Sequence, residues 1–385
     1  MEANRRRVTK LRKYKYLWAK CQDRDVIIAA WKKLRKGKTK RREVQIIEAD
    51  FDHYVDLMTE TLKETRPGGD PEKQFTPTIK TGRVIYEHGK ERRIYCPSIW
   101  EQWVHHIVVQ VLSPIITKYS YRYSCGSMPK RGSVYGKRYM ERLIRKGFRY
   151  FAKLDIRHFF NNVRLDVVIK ELERLIDDSW LIYLIRRIFI QFQKGLPLGF
   201  YISQWLANFV LRRLDQAVLD DEPMGFVRYM DDMVVTDNNK RHLHRIVVLI
   251  KKMLGSMRLK LKDNWTVTKF IYKKKNGQVV GRPIDFMGFV FTRKNTILRK
   301  TIMIRATRFA EKLSHAAVIS PRQALSMVSR AGWFKHTDTR YVWEKYIKGK
   351  INIKALKNII SKYQRRLNDE NSMVKGALQL QAGAV

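Results

Sequence analysis

Phe226-Val227-Arg228-Tyr229-Met230-Asp231-Asp232-Met233-Val234-Val235-Thr236-Asp237 is the stretch around which the chain is organised. Two apolar runs rich in β-branched residues flank adjacent carboxylates, which predicts a hairpin with Asp231-Asp232 at its turn. Like charges side by side need water, a basic partner or a metal ion. Alone, the pair reads as a solvated turn. A second carboxylate upstream changes that reading: Asp155 lies in an equally apolar run, Phe151-Ala152-Lys153-Leu154-Asp155-Ile156. Two acidic strand ends that converge can hold a pair of hard cations, the arrangement used in phosphoryl transfer.

The chain has 385 residues, enough for two or three subdomains around a sizeable core. At 44% hydrophobic and 11% aromatic it is globular, not disordered. With 79 Lys and Arg against 36 Asp and Glu, the net charge of +43 predicts a polyanionic partner. Aromatic side chains (17 Phe, 18 Tyr, 9 Trp) offer surfaces on which bases can stack. No run approaches the length of a membrane span, there is no signal-peptide core, and no lipidation signal is present, so no membrane role is expected. Cys21, Cys96 and Cys125 are scattered and lack CxxC spacing, which fits a reducing compartment and argues against structural zinc or disulfides. His105-His106 reads as part of a helix face and not as a ligand pair.

Residues 1–42 carry 17 Lys or Arg against 3 Asp or Glu, interrupted by Trp18, Ile27, Ile28 and Trp31, which predicts a partly docked basic helical arm in contact with nucleic acid. Ile47, Phe51, Tyr54, Val55, Met58 and Leu62 recur at helical spacing up to Pro67-Gly68-Gly69. From Thr76 to Pro97 the pattern is strand-like, turning at Gly89 just before Lys90-Glu91-Arg92-Arg93; a buried helix then runs from about Ser98 to Ile116. Tyr121 to Gly136 is a Tyr-, Ser- and Gly-rich loop whose Lys130 and Arg131 suit a phosphate backbone, although a plain connection fits equally. Two helices are expected at about 164–176 and 178–193. After them, Gly195-Leu196-Pro197-Leu198-Gly199 opens into a helix with the stripe Ile202, Leu206, Val210, Leu214 and Val218. Ser203 and Gln204 fall in its first turn, where unpaired N–H groups can meet a nucleotide or template base. Beyond the central hairpin come a helix over 240–257 and a second hairpin turning at Asn276-Gly277, with Ile284 to Phe291 as its returning strand. The remainder, about 301–385, reads as helical, with Arg299, Lys300, Arg305, Arg308 and Lys312 on one basic face and loose order from Ser372.

As an ordered set these motifs resemble those of a reverse transcriptase, over about residues 75–345. Tyr229-Met230-Asp231-Asp232 matches the family's Tyr-x-Asp-Asp signature, and Leu154-Asp155-Ile156-x-x-Phe159-Phe160 its first catalytic block. Arg92 to Pro97 and the loop 123–132 are similar to the fingers of bacterial, group II intron-like members. Most retroviral and intron enzymes carry Gln-Gly-x-x-x-Ser-Pro where this chain has Leu198-Gly199-x-x-x-Ser203-Gln204. That variant resembles enzymes of diversity-generating retroelements, as do Asn264-Trp265-Thr266-Val267, Ile284 to Phe289, Leu298-Arg299-Lys300 and Gly332-Trp333-Phe334-Lys335-His336. Defence-associated bacterial reverse transcriptases share parts of this layout.

The resemblance implies an α/β chain (an α+β palm) of the right-hand kind. A basic helical extension would cover 1–70, fingers and an antiparallel palm sheet 71–292, and a helical thumb with its tail 293–385. It implies RNA-directed DNA synthesis on an RNA template from a DNA or RNA primer with dNTPs, and a cytoplasmic, bacterial or phage-encoded setting. Asp155, Asp231 and Asp232, with the Ile156 carbonyl, would surround two Mg2+ ions about 4 Å apart, with Mn2+ as a substitute. Phe160 would exclude a ribose 2′-hydroxyl, Lys90 and Arg92 would meet the triphosphate, and Leu198, Gly199, Ser203 and Gln204 would border the nucleotide. Nucleic-acid contacts are expected from Tyr229, Lys130, Arg131, Met287, Gly288, Arg299, Lys300 and Arg305. Leucine at 198 can pack but cannot hydrogen-bond, so mispairs should be rejected weakly and copying should be of low fidelity. Where intron-type enzymes place a lysine that protonates pyrophosphate this chain has Trp265, leaving Lys260 and Lys262 as alternatives. A small basic accessory protein belongs to the resembled class. The competing readings are a defence enzyme and an inactive RNA-binding scaffold.

Overall fold

The computed structural model describes residues 13–78, 81–87, 89–192 and 194–382, with no account of side chains at 87, at 90 or from 368 onward. The basic positions before residue 13 and the side chain of Lys90 therefore lie outside the described residues. Two compact units interleave along the chain: one draws on Met1–Ser120, His158–Arg212 and Ser256–Leu259, the other on Tyr121–Arg157, Arg213–Gly255 and Lys260–Val385. This interleaving differs from a division by residue number at 70 and 292.

The first unit is built on helix Ile99–Tyr119, which is buried around most of its circumference. A capping box starts it: the Ser98 side chain accepts from Glu101 N–H while the Glu101 carboxylate accepts from Ser98 N–H. Trp103 packs at a tilt against Trp31 with centroids 4.7 Å apart, and its indole N–H donates to the Ile27 carbonyl at 2.9 Å. Helices Arg24–Leu34 and Phe51–Glu64 thus share a core with the central helix, which docks the second half of the basic arm. His105 and His106 are both buried in the same helix. His106 stacks on Tyr201 at 3.8 Å, and burial pulls its pKa down to about 4. Strands β1 (Arg83–Glu87) and β2 (Lys90–Ile94) form the expected hairpin around Gly89. Past its end, Tyr95 N–H donates to the Leu198 carbonyl at 2.8 Å, tying the hairpin to the glycine turn.

The second unit holds a five-stranded sheet made of β3 (Ser124–Cys125), β4 (Tyr150–Asp155), β5 (Gly225–Tyr229), β6 (Asp232–Asp237) and β7 (Thr266–Lys269). Their order is β3-β5-β6-β4-β7. Every pairing is antiparallel except β3 with β5, so the expected antiparallel sheet carries one short parallel edge. β5 and β6 are buried at nearly every position, because the sheet is covered on both faces. Tyr272–Lys273 (β8) pairs with Val279–Val280 (β9) around Asn276-Gly277. The sequence reading is corrected here: Ile284–Phe286 (β10) and Phe289–Phe291 (β11) are not the return of that hairpin but a second one, extended by β12 (Thr296–Leu298). Its turn is Met287-Gly288, both at positive φ (54° and 87°), the sign pattern of a type I′ hairpin turn.

The expected helix after the glycine turn is also divided. Tyr201–Val210 ends at Leu211 and Arg212–Asp220 follows, where the chain passes from the first unit to the second, although all five stripe residues are buried. Helices Lys300–Ser314, Pro321–Phe334 and Ile353–Ala382 make the last part of the chain helical. The backbone remains helical to Ala382, where loose order was expected from Ser372. Among the described residues no helix is long and apolar enough to cross a membrane.

Candidate active site

The central hairpin turns one residue earlier than the sequence suggests. Tyr229 pairs with Asp232, so the two turn residues are Met230 and Asp231, while Asp232 opens β6. Met230 has φ 56° and Asp231 is not among the positive-φ residues, the sign pattern of a turn whose first position favours glycine. The shift places Asp232 directly across from Asp155, because β4 and β6 pair with Asp155 opposite Asp232. Ile156 N–H donates to the Asp231 carbonyl at 3.2 Å and so pins the turn to the end of β4. Like charges directly opposite on a sheet oppose folding, so a sheet selected for stability alone would avoid this pair.

The local electrostatics follow from that register. Burial pushes the Asp232 carboxyl up from its usual 3.8 to about 7, helped by Asp155 and Asp231 and opposed by Lys153 and Arg299. Asp155 Oδ2 accepts from Lys262 Nζ at 2.5 Å, and Lys262 N–H donates to the Asp155 carbonyl at 2.8 Å. One oxygen on each facing carboxylate, Asp155 Oδ1 and Asp232 Oδ1, is buried without a hydrogen-bond partner. A buried anionic oxygen left unpaired costs more than a neutral one, and a hard cation is the group that satisfies two at once. Among the described residues no three His, Cys, Asp or Glu side chains form a ready cage. Magnesium commonly takes only one or two carboxylates and completes its shell with water and phosphate oxygens, so the donor set fits it. Ile156 is fully buried at the end of the same strand.

The first unit holds a cavity of about 410 Å³ lined by Arg92, Arg93, Tyr95, Phe160, Lys194 and Leu198 among others. Three expected nucleotide residues, Arg92, Phe160 and Leu198, therefore share one wall system. The Phe pair is divided as its two possible roles suggest: Phe159 is core, and half-buried Phe160 lines the cavity. Gly199 has φ 103°, and a Cβ there would run into the Tyr95 carbonyl oxygen, so the glycine is required by the close approach of the Tyr95 backbone. Ser203 is 1% exposed with its hydroxyl unpaired, whereas Gln204 beside it is exposed.

Other expected residues separate into surface and support. Lys130, Lys300 and Arg305 are exposed. Arg131 is partly engaged, donating to the Tyr121 carbonyl at 3.2 Å, and Arg299 pairs with Asp285 at 2.6 Å. Tyr229 is half-buried beside Gly126, and burial raises its phenol pKa. Met287 and Gly288, expected at the nucleic acid, are buried. The Met287 side chain packs close to Gly136, and Gly288 lies against Ile302 and Trp333. Of the two lysine alternatives it is Lys262 that reaches Asp155; Trp265 instead lies 4.4 Å under the Lys251 ammonium. Sequence reasoning missed Arg228 and Asp215, a fully buried pair next to the turn. The only signal was a lone arginine inside an apolar strand.

The strands that carry the carboxylates fall within a known family's domain. The family model described as reverse transcriptase (RNA-dependent DNA polymerase) matches residues 79–291, more than half of the chain and all of the strands that carry the carboxylates. Retron Ec73 reverse transcriptase of Escherichia coli is 28% identical over 147 residues, 34% of this chain and 46% of that protein, so the match spans less than half of the relative's length. Among solved structures, apo telomerase from Candida tropicalis, truncated from its C-terminal domain, gives a TM-score of 0.44 at 12% identity, covering 57% of this chain and 55% of that one. At that score the likeness carries no argument. On the family match, the chain belongs to the reverse transcriptase (RNA-dependent DNA polymerase) family.

Proposed function

We propose that this chain is an RNA-directed DNA polymerase that extends a DNA or RNA primer on a structured RNA template with dNTPs. The observation that carries the proposal is the facing pair Asp155 and Asp232, each with a buried unpaired oxygen, beside Asp231 on the turn. Two divalent cations, Mg2+ or Mn2+, would supply activation of the primer 3′-hydroxyl and charge neutralisation at the triphosphate and pyrophosphate. Asp155, Asp231 and Asp232 would hold them, with the Ile156 carbonyl as a further oxygen donor. Bound cations would favour the ionised form of Asp232, whose carboxyl burial raises to about 7. Lys262 neutralises Asp155 Oδ2 and is our candidate proton donor to pyrophosphate. Arg92 and Lys90 steady the triphosphate, Phe160 excludes the 2′-hydroxyl, and the exposed basic residues Lys130, Lys300 and Arg305 hold the nucleic-acid backbone.

The biological setting we infer is a bacterial retroelement, a reading supported by the retron relative. Leucine at 198 supports low-fidelity copying, as in diversity-generating retroelements, whose enzymes work with a small basic accessory protein. Neighbouring genes would test the setting: a template and variable repeat pair with an accessory gene supports it, and a lone defence cassette replaces it. Primer extension on an RNA template with Mg2+ tests the chemistry, comparing the wild type with Asp231→Ala plus Asp232→Ala. Activity equal in both, or absent from both, overturns the polymerase and leaves an RNA-binding scaffold.

A further inference from the structure

Two residues away from the catalytic turn, a pair of charges is sealed from solvent. Arg228 on β5 and Asp215 on helix Arg212–Asp220 are each 1% exposed. The guanidinium grips the carboxylate with both edges of its fork, Nε to Oδ1 at 2.7 Å and Nη2 to Oδ2 at 2.6 Å. Its remaining arm, Nη1, donates to the carbonyl of Met230 at 2.9 Å. Met230 is the turn residue with φ 56°, a left-handed backbone that a residue with a Cβ adopts only when its surroundings impose it. Its own N–H is held as well, donating to the Cys125 carbonyl at 3.1 Å.

We infer that Arg228 and Asp215 form a positioning clamp that holds the Met230 peptide and thereby sets the direction in which Asp231 and Asp232 face Asp155. The inference rests on the polymerase reading and adds two residues to it. Stability alone does not account for the pair, since well-packed apolar side chains of similar volume serve a buried site as well as an ion pair does. What an apolar pair cannot supply is the third donor. The planar guanidinium transmits the position of a helix side chain to a single backbone carbonyl. That carbonyl belongs to the peptide linking Met230 to Asp231, so its orientation fixes where the Asp231 backbone begins. Rotation of this peptide would re-aim Asp231 and displace Asp232 from its register with Asp155. Neither Arg228 nor Asp215 touches the reacting groups.

The test removes the clamp without leaving a charge stranded, using Arg228→Met combined with Asp215→Leu. The expected result is a melting temperature close to that of the wild type, kcat for primer extension lower by about 10²-fold, the scale of an ångström-level misplacement, and KM for dNTP changed less than about threefold. Mn2+ affinity without substrate, read from the free-ion electron paramagnetic resonance signal, should fall roughly tenfold, or about 1.4 kcal/mol. A kcat and Mn2+ affinity matching the wild type would overturn the clamp. Arg228→Lys keeps the buried charge beside Asp215 but loses the fork, and it should show the same loss of kcat. Should neither variant fold, the pair is a stability element and the inference fails. If the wild type extends no primer, the polymerase reading fails by itself, and Mn2+ affinity still decides the clamp.

Discussion

Replacing Asp232 with asparagine should abolish primer extension and at the same time make the protein more stable. The folded state holds this carboxyl at a pKa of about 7 against the ordinary 3.8. Ionised Asp232 therefore opposes folding, and the penalty is absent below about pH 4, grows as pH rises and is complete above pH 7. At 1.36 kcal/mol per pH unit the rise sets an upper limit of about 4 kcal/mol. Partial solvent screening brings the expected gain from Asp232→Asn to about 2 kcal/mol at pH 8. For a unit of this size that corresponds to roughly 4–8 °C in melting temperature. The assay is thermal unfolding of both proteins in EDTA from pH 4 to pH 8.5, with the two curves converging at the acid end. Millimolar Mg2+ should narrow the difference by stabilising the wild type more. An asparagine variant no more stable than the wild type at pH 8 in EDTA would refute the argument from facing, buried carboxylates.

Three further outcomes are expected. Leu198→Gln restores a hydrogen-bonding group and should cut misincorporation by roughly tenfold, the scale of one net hydrogen bond; an unchanged error spectrum in sequenced cDNA removes Leu198 from the fidelity argument. Phe160→Ala should raise ribonucleotide incorporation about 10–100-fold by withdrawing the steric barrier, read as the ratio of kcat/KM for rNTP and dNTP. Gly199→Ala should destabilise the first unit by more than about 2 kcal/mol, because it combines a φ of 103° with a collision at the Tyr95 carbonyl. Urea unfolding that matches the wild type would contradict that collision.

That the two carboxylate strands converge was legible, because acidic residues inside apolar strands conflict with burial unless something brings them together. Their exact register was not. The turn begins at Met230, a residue with no local preference for positive φ, and the hydrogen bonds that impose it come from Cys125 and Arg228, over a hundred residues and two residues away along the chain respectively. Met287-Gly288 escaped notice for a related reason: Asn276-Gly277 is the stronger turn signal nearby, and the largely apolar run from Ile284 to Phe291 hid a second reversal. Lys260 and Lys262 have the same parity along the chain, so alternation cannot rank them; what separates them is the reach of Lys262 Nζ to Asp155. The outward parts of the basic face, including Lys300 and Arg305, were readable from charge and spacing alone.

The strand order has a consequence for synthesis of the chain. β4 lies between β6 and β7, and both of its neighbours come later in the sequence, beginning at Asp232 and Thr266. At about 5–20 residues per second, a strand emerging from the ribosome waits roughly 4–15 s for its first partner. During that interval both edges of an apolar segment are open to pairing with another chain. Lys153 and Asp155 are the charges within it, and charged residues in a bare strand discourage aggregation. The aspartate that faces Asp232 in the finished sheet thus also guards the nascent strand.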